Sequence, residues 1–327
     1  MENNVLISAK GLKKYFPVSS FLGGKKKYIR AVDDIDLDIY KGETFGLVGE
    51  SGCGKSTLGK TLIRMYEPSA GKIYYKGEDI TDRKLNKIKS VQNSMQIIFQ
   101  DPYSSLNPFW NVEEILSEPL KNLKIKKGDM YESIKLILNK VGMSEDDLIK
   151  FPYEFSGGQR QRIGIARALL VNPEFIMCDE PIAALDVSIQ AQVVNLLQDL
   201  QKEFGLTYLF TAHDLSMVRY ISNRIGVMYL GSLVEIANSK SLFKKPLHPY
   251  TKALLSAVPS PDPSKKNINE KVKISGEVSQ VFADSNACRF APRCIYKTKI
   301  CEKECPKLRE IEGGHRVACH NAESINS

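Results

Sequence analysis

The 327-residue sequence contains no run of about 18 consecutive apolar residues, so no transmembrane helix is expected. It opens Met1-Glu2-Asn3-Asn4, with no basic stretch leading into an apolar one, and so lacks the pattern of a secretory signal. Residence in the cytosol is the expectation. No internal repeat and no sustained heptad run is present. There is little excess of one charge either: 46 basic against 38 acidic residues leave +8. That suits an anionic ligand, a membrane surface or nucleic acid and selects none of them. The basic runs, Lys25-Lys26-Lys27 and Lys124 with Lys126-Lys127, are short and read as solvated loops. With 43% hydrophobic and 26% charged residues, the chain is neither disordered nor a disulfide-stapled miniprotein. At roughly 100–200 residues per domain its length fits about two.

The opening reads as β-rich: Val5-Leu6-Ile7, then Ile35-Asp36-Leu37-Asp38-Ile39 with period-2 alternation. Residues 19–27 between them read as a hairpin loop. The apolar run 44–48 leads through a glycine-rich turn to Leu58, Leu62, Met65 and Tyr66 at helical spacing. From residue 103 to about 155 the pattern turns helical. Val112, Ile115, Leu116 and Leu120 mark one helix, and Ile134, Leu136, Ile137 and Val141 a second, closed by Gly142. Strands return at 175–178 and 207–210. The helix between them carries Val193, Val194, Leu197, Leu200 and Phe204 on one face and stops at Gly205. Alternating strands and helices predict an α/β fold with a mainly parallel sheet and a helical insertion. Pro259-Ser260-Pro261-Asp262-Pro263, followed by the polar residues 264–271, predicts a stiff linker and a boundary.

Gly49-Glu50-Ser51-Gly52-Cys53-Gly54-Lys55-Ser56 matches G-x-x-x-x-G-K-[ST] between a predicted strand and helix. In such a loop the backbone N–H groups point at phosphate oxygens, and the helix N-terminus adds attraction. Lys55 reaches the outer phosphates and the Ser56 hydroxyl ligates Mg²⁺. Phe175-Ile176-Met177-Cys178-Asp179-Glu180 puts two carboxylates at the C-terminal tip of an apolar strand, where parallel sheets bind ligands. Asp179 is the candidate Mg²⁺ partner, and Glu180 the general base for an attacking water.

Phe155-Ser156-Gly157-Gly158-Gln159 resembles the signature motif of ABC-type ATPases, whose first residue is more often Leu. Gln100, in Ile97-Ile98-Phe99-Gln100-Asp101, resembles their Q-loop glutamine. Ala184-Leu185-Asp186 resembles the D-loop, and His213 in Thr211-Ala212-His213-Asp214 the switch histidine. Asp101-Pro102-Tyr103-Ser104-Ser105-Leu106-Asn107-Pro108, the stretch from Leu185 to Val193, and Pro246-Leu247-His248-Pro249-Tyr250-Thr251 resemble the ATPase subunits of oligopeptide/dipeptide importers, over essentially the whole chain.

The resemblance implies a P-loop ABC-type nucleotide-binding domain, with an antiparallel N-terminal β region, over 1–258. Its helical subdomain spans about 103–170, and a small cysteine-rich C-terminal extension follows over 259–327. It implies ATP and Mg²⁺ as cofactors. Two subunits pair head-to-tail, each ATP lying on one subunit's loop (Gly49 to Ser56, with Thr57) and under the other's Ser156, Gly157, Gly158 and Gln159, with Asp186 nearby. Ser56, Gln100 and Asp179 hold Mg²⁺; Glu180 and His213 serve hydrolysis. Phe16, or its neighbour Tyr15, stacks on adenine. The implied partners are a second, non-identical ABC ATPase, two transmembrane permease subunits and an extracytoplasmic peptide-binding protein, with no nucleic acid. The implied place is the cytoplasmic face of the membrane, as a peripheral subunit. The alternative cargo is metals or other small solutes. Two features depart from the pattern: Pro181-Ile182-Ala183-Ala184 lacks the usual hydroxyl residues, and Cys305 is an extra cysteine.

The C-terminal cysteines run C-x5-C-x6-C-x3-C-x13-C through Cys288, Cys294, Cys301, Cys305 and Cys319, without the tight knuckles of structural zinc sites. Four thiolates suit a [4Fe-4S] cluster, which some members of the resembled family carry. Matching to them selects Cys288, Cys294, Cys301 and Cys319. Zinc, with His315 or His320 as ligand, and free or oxidised thiols are the alternatives. The ABC-type ATPases of DNA repair are a competing class, but only residues 101–155 separate Gln100 from Ser156, too few for their long inserts. A nucleic-acid module built on the cysteines has only Arg289, Phe290, Arg293 and Tyr296 to support it.

Overall fold

In the computed structural model, residues 4–18, 27–82, 89–257 and 286–326 are described. The predicted loop at 19–27, apart from Lys27, which opens a strand, and the proline-rich linker at 259–271 lie outside them. Contacts divide the chain into two units.

The first unit comprises residues 5–39, 45–81 and 213–327. Its N-terminal strands are longer than the sequence predicts: β1 (Val5–Val18) and β2 (Lys27–Tyr40). The register of β1 slips between Lys10 and Lys13, and Gly11 and Asp34 both take positive φ. Each irregularity breaks the period-2 pattern that would have revealed a single long strand. β1 pairs antiparallel with β4 (Ala70–Tyr75), which pairs antiparallel with β5 (Glu78–Asp79). Leu6, Leu12, Val32, Ile35, Leu37 and Ile39 are buried on this layer's inner face.

A second ladder in the same unit runs in the order β11 (Arg309–Glu312), β12 (His315–Val317), β10 (Ser232–Asn238), β9 (Arg224–Tyr229), β3 (Thr44–Val48). Only its β3–β9 pairing is parallel, while β9–β10, β10–β12 and β11–β12 are antiparallel. This part of the sheet is therefore mixed rather than mainly parallel. Helices α1 (Lys55–Leu62), α7 (Leu215–Ile221), α8 (Ser239–Lys244), α9 (Pro249–Ser256) and α10 (Ala322–Asn326) complete the unit. Helix α1 stops short of the predicted Met65 and Tyr66 because Arg64 takes a left-handed φ of 61°.

The other unit comprises residues 40–44 and 82–212, with Met1–Asn4. Three strands, β6 (Met95–Ile98), β7 (Phe175–Asp179) and β8 (Thr207–Thr211), run parallel. β7 and β8 are buried along their whole length, which explains their continuous apolar runs. Around them lie α2 (Lys89–Ser94), α3 (Val112–Asn122), α4 (Lys127–Lys140), α5 (Gly157–Leu169) and α6 (Val187–Phe204). The inward face of α3 is the predicted one, and Asn111 closes its start with a capping box to Glu114. In α4 the buried residues are Ile134, Ile137 and Leu138, and Leu136 points to solvent. On α6, Phe204 is likewise exposed, at the last turn beyond the buried Leu200.

Candidate nucleotide site and the C-terminal segment

The phosphate loop leaves the buried β3 and curls before α1. A Cβ on Gly49 would lie 2.1 Å from the Met228 carbonyl oxygen, and one on Gly54 2.0 Å from that of Ala31, so both positions exclude a side chain. Gly54, at φ 107°, caps the start of α1. Ser51 and Gly52 are exposed at the loop's mouth, Cys53 is buried, and Ser56 and Thr57 are half-buried on the first turn of α1. The Cys53 thiol is pushed up by burial, so it fills space rather than acting as a nucleophile. Lys55 is buried with its Nζ donating to the carbonyl oxygens of Gly49 (2.9 Å) and Glu50 (3.3 Å). Its charge is thus held at the centre of the loop.

The same unit carries His213, exposed just beyond β8, with Asp214 capping α7 through the Ser216 N–H. Phe16 and Tyr15 face opposite ways along β1. Phe16 meets Tyr66 edge-on at 5.8 Å with Lys14 over both rings, whereas the Tyr15 hydroxyl bonds the Asp33 carboxylate.

In the other unit, Asp179 ends β7 and Glu180 follows with φ 48°; both are buried. Thr211, at the tip of β8 and fully buried, joins them. Its Oγ1 accepts the Glu180 N–H at 2.9 Å and lies 3.3 Å from the Cys178 carbonyl and 3.4 Å from Asp179 Oδ1 as a donor. The sequence named no role for Thr211. Its signal was a hydroxyl closing an apolar strand beside the one that ends in two carboxylates. Gln100 is exposed two residues past β6, and Asp101 accepts the Tyr103 N–H. Ser156 caps α5 and exchanges bonds with Gln159 in a capping box, Ser156 N–H to Gln159 Oε1 at 3.0 Å. The N–H groups of Gly157 and Gly158 occupy the first helical positions, which have no partner within a helix. Asp186 caps α6, accepting from Ile189 N–H and from Ser188 Oγ, which holds its carboxyl below the usual range. Ser56 belongs to one unit, Gln100 and Asp179 to the other.

The C-terminal segment packs on the first unit. Phe290 is buried among Tyr229, Tyr250 and His248, with ring centroids 5.3–5.6 Å away. Arg289 bonds the Leu230 carbonyl and Asp33, and Arg293 grips Glu50. The buried Glu235 carboxylate collects the N–H groups of Leu247 and His248 and the Nε2 of His315 at 2.6 Å. None of the seven cysteines is disulfide-bonded. Cys288 N–H donates to the Cys301 carbonyl at 2.9 Å. Burial, with neighbouring thiols adding, pushes the Cys288 thiol up to about 12 and Cys319 up to about 11.

Among the described residues, no three His, Cys, Asp or Glu side chains converge to hold a metal ion. The expected [4Fe-4S] set of Cys288, Cys294, Cys301 and Cys319 is therefore not presented as a ligand shell. The zinc alternative fares no better: His315 is committed to Glu235, and His320 Nε2 lies 3.1 Å from the Glu304 carbonyl oxygen.

The profile of the ABC transporter family matches residues 32–183, and that of the oligopeptide/dipeptide transporter C-terminal region matches 234–301. The chain is 50% identical over 324 residues to the putative oligopeptide transport ATP-binding protein YkfD of Bacillus subtilis, covering 98% of this chain and 97% of the relative. It is 42% identical over 323 residues to the dipeptide transport ATP-binding protein DppF of Haemophilus influenzae, covering 98% of each. Among solved structures, cbiO1 of Clostridium perfringens, part of the ABC transporter complex cbiONQ, aligns with a TM-score of 0.64 at 27% identity, over 74% of this chain and 91% of that one. The ATP-binding cassette MJ0796, in a dimer bound to ADP and Pi, aligns with a TM-score of 0.64 at 26% identity, over 72% and 99%.

Fold and motifs together define an ABC-type ATPase. Within that class, the chain belongs to the family of oligopeptide/dipeptide transport ATP-binding proteins.

Proposed function

We propose that this chain is the ATP-hydrolysing subunit that energises import of oligopeptides or dipeptides through a membrane transporter. The observation that carries the reading is near-full-length likeness, at 42–50% identity, to proteins named for oligopeptide and dipeptide transport. Those relatives are named for peptides rather than metals. We assign residues 1–258 to the ATPase and 259–327 to a C-terminal extension. No helix among the described residues is long and apolar enough to cross a membrane. In this reading the subunit works peripherally, at the cytoplasmic face, with two permease subunits, a second and non-identical ATPase, and an extracytoplasmic peptide-binding protein.

The donor set suits the proposed ligand. A hydroxyl (Ser56), an amide oxygen (Gln100) and a carboxylate (Asp179) are hard oxygen donors of the kind Mg²⁺ takes. The ion would neutralise charge on the phosphates. Gly49 to Thr57 cradle the phosphates with backbone N–H groups, and Lys55 adds a point charge once it turns from the loop carbonyls. Glu180 takes a proton from the attacking water while His213 orients it. The start of α5, at Ser156 to Gln159, offers N–H groups and a helix dipole to the terminal phosphate bound by a partner subunit, with Asp186 at the same interface. Phe16 offers a ring face to adenine. The [4Fe-4S] reading rests on the four thiolates and the family resemblance, and no step of the cycle is assigned to it.

The test is uptake of a labelled peptide pool by cells carrying wild-type or Glu180→Gln protein, alongside ATPase assays of both. Loss of hydrolysis and of uptake together is the expected result. Lost hydrolysis with unchanged peptide uptake would leave the ATPase assignment and overturn the cargo.

A further inference from the structure

We propose that Arg293, in the C-terminal segment, is a positioning residue of the nucleotide site that acts through Glu50 of the phosphate loop. The inference rests on the loop binding ATP.

Glu50 is the second residue of the loop, and its polar groups are gripped from several sides. Its carboxylate takes both terminal nitrogens of Arg293, Nη1 at 2.9 Å and Nη2 at 3.1 Å, in a bidentate fork. Its backbone N–H donates to the Tyr250 hydroxyl oxygen at 2.9 Å. Its carbonyl accepts from Cys53 N–H at 3.2 Å and from Lys55 Nζ at 3.3 Å. The grip is itself anchored. Arg293 ends a short 3-10 turn that follows the buried Phe290, and its side chain is only 10% exposed. Its Nη1 also lies 3.3 Å from the Tyr229 hydroxyl. Arg289 holds the turn between β9 and β10 through the Leu230 carbonyl, and in that turn Gly231 N–H donates to the Cys53 carbonyl at 2.8 Å. Two arginines four residues apart thus brace the loop, one directly and one through its neighbour.

The chemistry explains why the brace carries charge. A carboxylate on a loop built to bind polyphosphate repels its ligand, and a partly buried site screens that repulsion poorly. Arg293 cancels the charge where it arises and fixes the second residue of the loop that cradles the phosphates. Lysine supplies the charge without the planar fork, so it restores only part of the effect. The predicted signature is therefore a change in ATP affinity with little change in kcat.

The experiment measures binding of a fluorescent ATP analogue and steady-state ATP hydrolysis on the full-length protein. Variants are Arg293→Ala, Arg293→Lys, Glu50→Gln and Arg293→Ala with Glu50→Gln, with thermal melts of each. Wild-type binding tests the ATP reading on its own, and the ratio of variant to wild type tests this one. Arg293→Ala is expected to weaken ATP about tenfold, the scale of one lost charge-assisted contact, with kcat within about twofold. Arg293→Lys recovers part of the loss, and adding Glu50→Gln to Arg293→Ala recovers most of it. Glu50→Gln alone, which keeps the arginine and serves if Arg293→Ala fails to fold, should bind ATP as tightly as wild type or tighter. Unchanged affinity in Arg293→Ala overturns the proposal. So does an equal loss in the single and double variants with a matching drop in Tm, or weaker binding in Glu50→Gln.

Discussion

Thr211→Val removes one hydroxyl and keeps the side-chain volume, at a residue with no exposed surface. In the native site that oxygen accepts the Glu180 N–H at 2.9 Å. Valine cannot, and losing this buried hydrogen bond costs about 1–3 kcal/mol. Glu180 also holds a left-handed φ of 48°, a conformation that for a residue with a Cβ costs roughly 1–3 kcal/mol and persists only where its surroundings enforce it. Losing this bond relaxes the backbone of the proposed general base. If the full cost appears in the barrier, kcat falls roughly 5- to 150-fold, since about 1.4 kcal/mol is a factor of ten. The assay is steady-state ATP hydrolysis, with KM for ATP expected to change less than about threefold because the hydroxyl touches only the strand tips. Thr211→Ser keeps the oxygen and should restore most of kcat, at some loss of Tm from the missing methyl. A valine variant within twofold of wild type, or equal losses in valine and serine, would refute the reasoning.

Acid should loosen the C-terminal half through His248. Burial holds this imidazole down at about 4, against an ordinary 6.5, with the nearby Glu235 carboxylate opposing the shift. The ring must stay neutral because its Nδ1 accepts the Tyr250 N–H that starts α9. The unfolded chain takes up this proton near pH 6.5 and the folded one only near pH 4. The contribution is whole above pH 6.5 and fades by about 3 kcal/mol as pH falls to 4. Denaturant unfolding at pH 7 and 4.5 should show this, and His248→Asn, which keeps a capping oxygen, should flatten the dependence; an unchanged slope argues against it. For the cysteines, metal and acid-labile sulfide analysis of anaerobically purified protein decides. Sulfide and iron near four each per chain support the [4Fe-4S] reading, and zinc without sulfide ends it.

The chemical parts of the site were legible because they are local. Gly49 to Ser56, Asp179-Glu180 and Ser156 to Gln159 each lie within a few consecutive residues, so strand, turn and helix start can be read in place. What escaped depends on chain closure. Arg293 meets Glu50 across a separation of 243 residues, and Thr211 acquires a role only because β8 lies beside β7 in register, Thr211 opposite Asp179. Periodicity also has blind spots along a helix. Leu136 and Phe204 fit an apolar stripe in sequence, yet each helix turns them to water. The family resemblance implied a cysteine ligand set with His315 in reserve, but a buried carboxylate on β10 had a stronger claim on that histidine.

Strand β11 reads Arg-Glu-Ile-Glu, is only four residues long, and exposes all but Ile311 fully. It is the last strand of its ladder, outside β12, which in turn covers β10. β10 is mostly buried and carries Leu233, Val234 and Ile236, so an uncovered β10 would offer unpaired backbone donors and acceptors on an apolar strand to any passing strand. The C-terminal segment thus ends the sheet on a short, charged rim that discourages chain-to-chain pairing. A protein trimmed before residue 309 would lose that guard and strip His315 from Glu235, so shortening the chain leaves β10 prone to pair edge to edge with another copy.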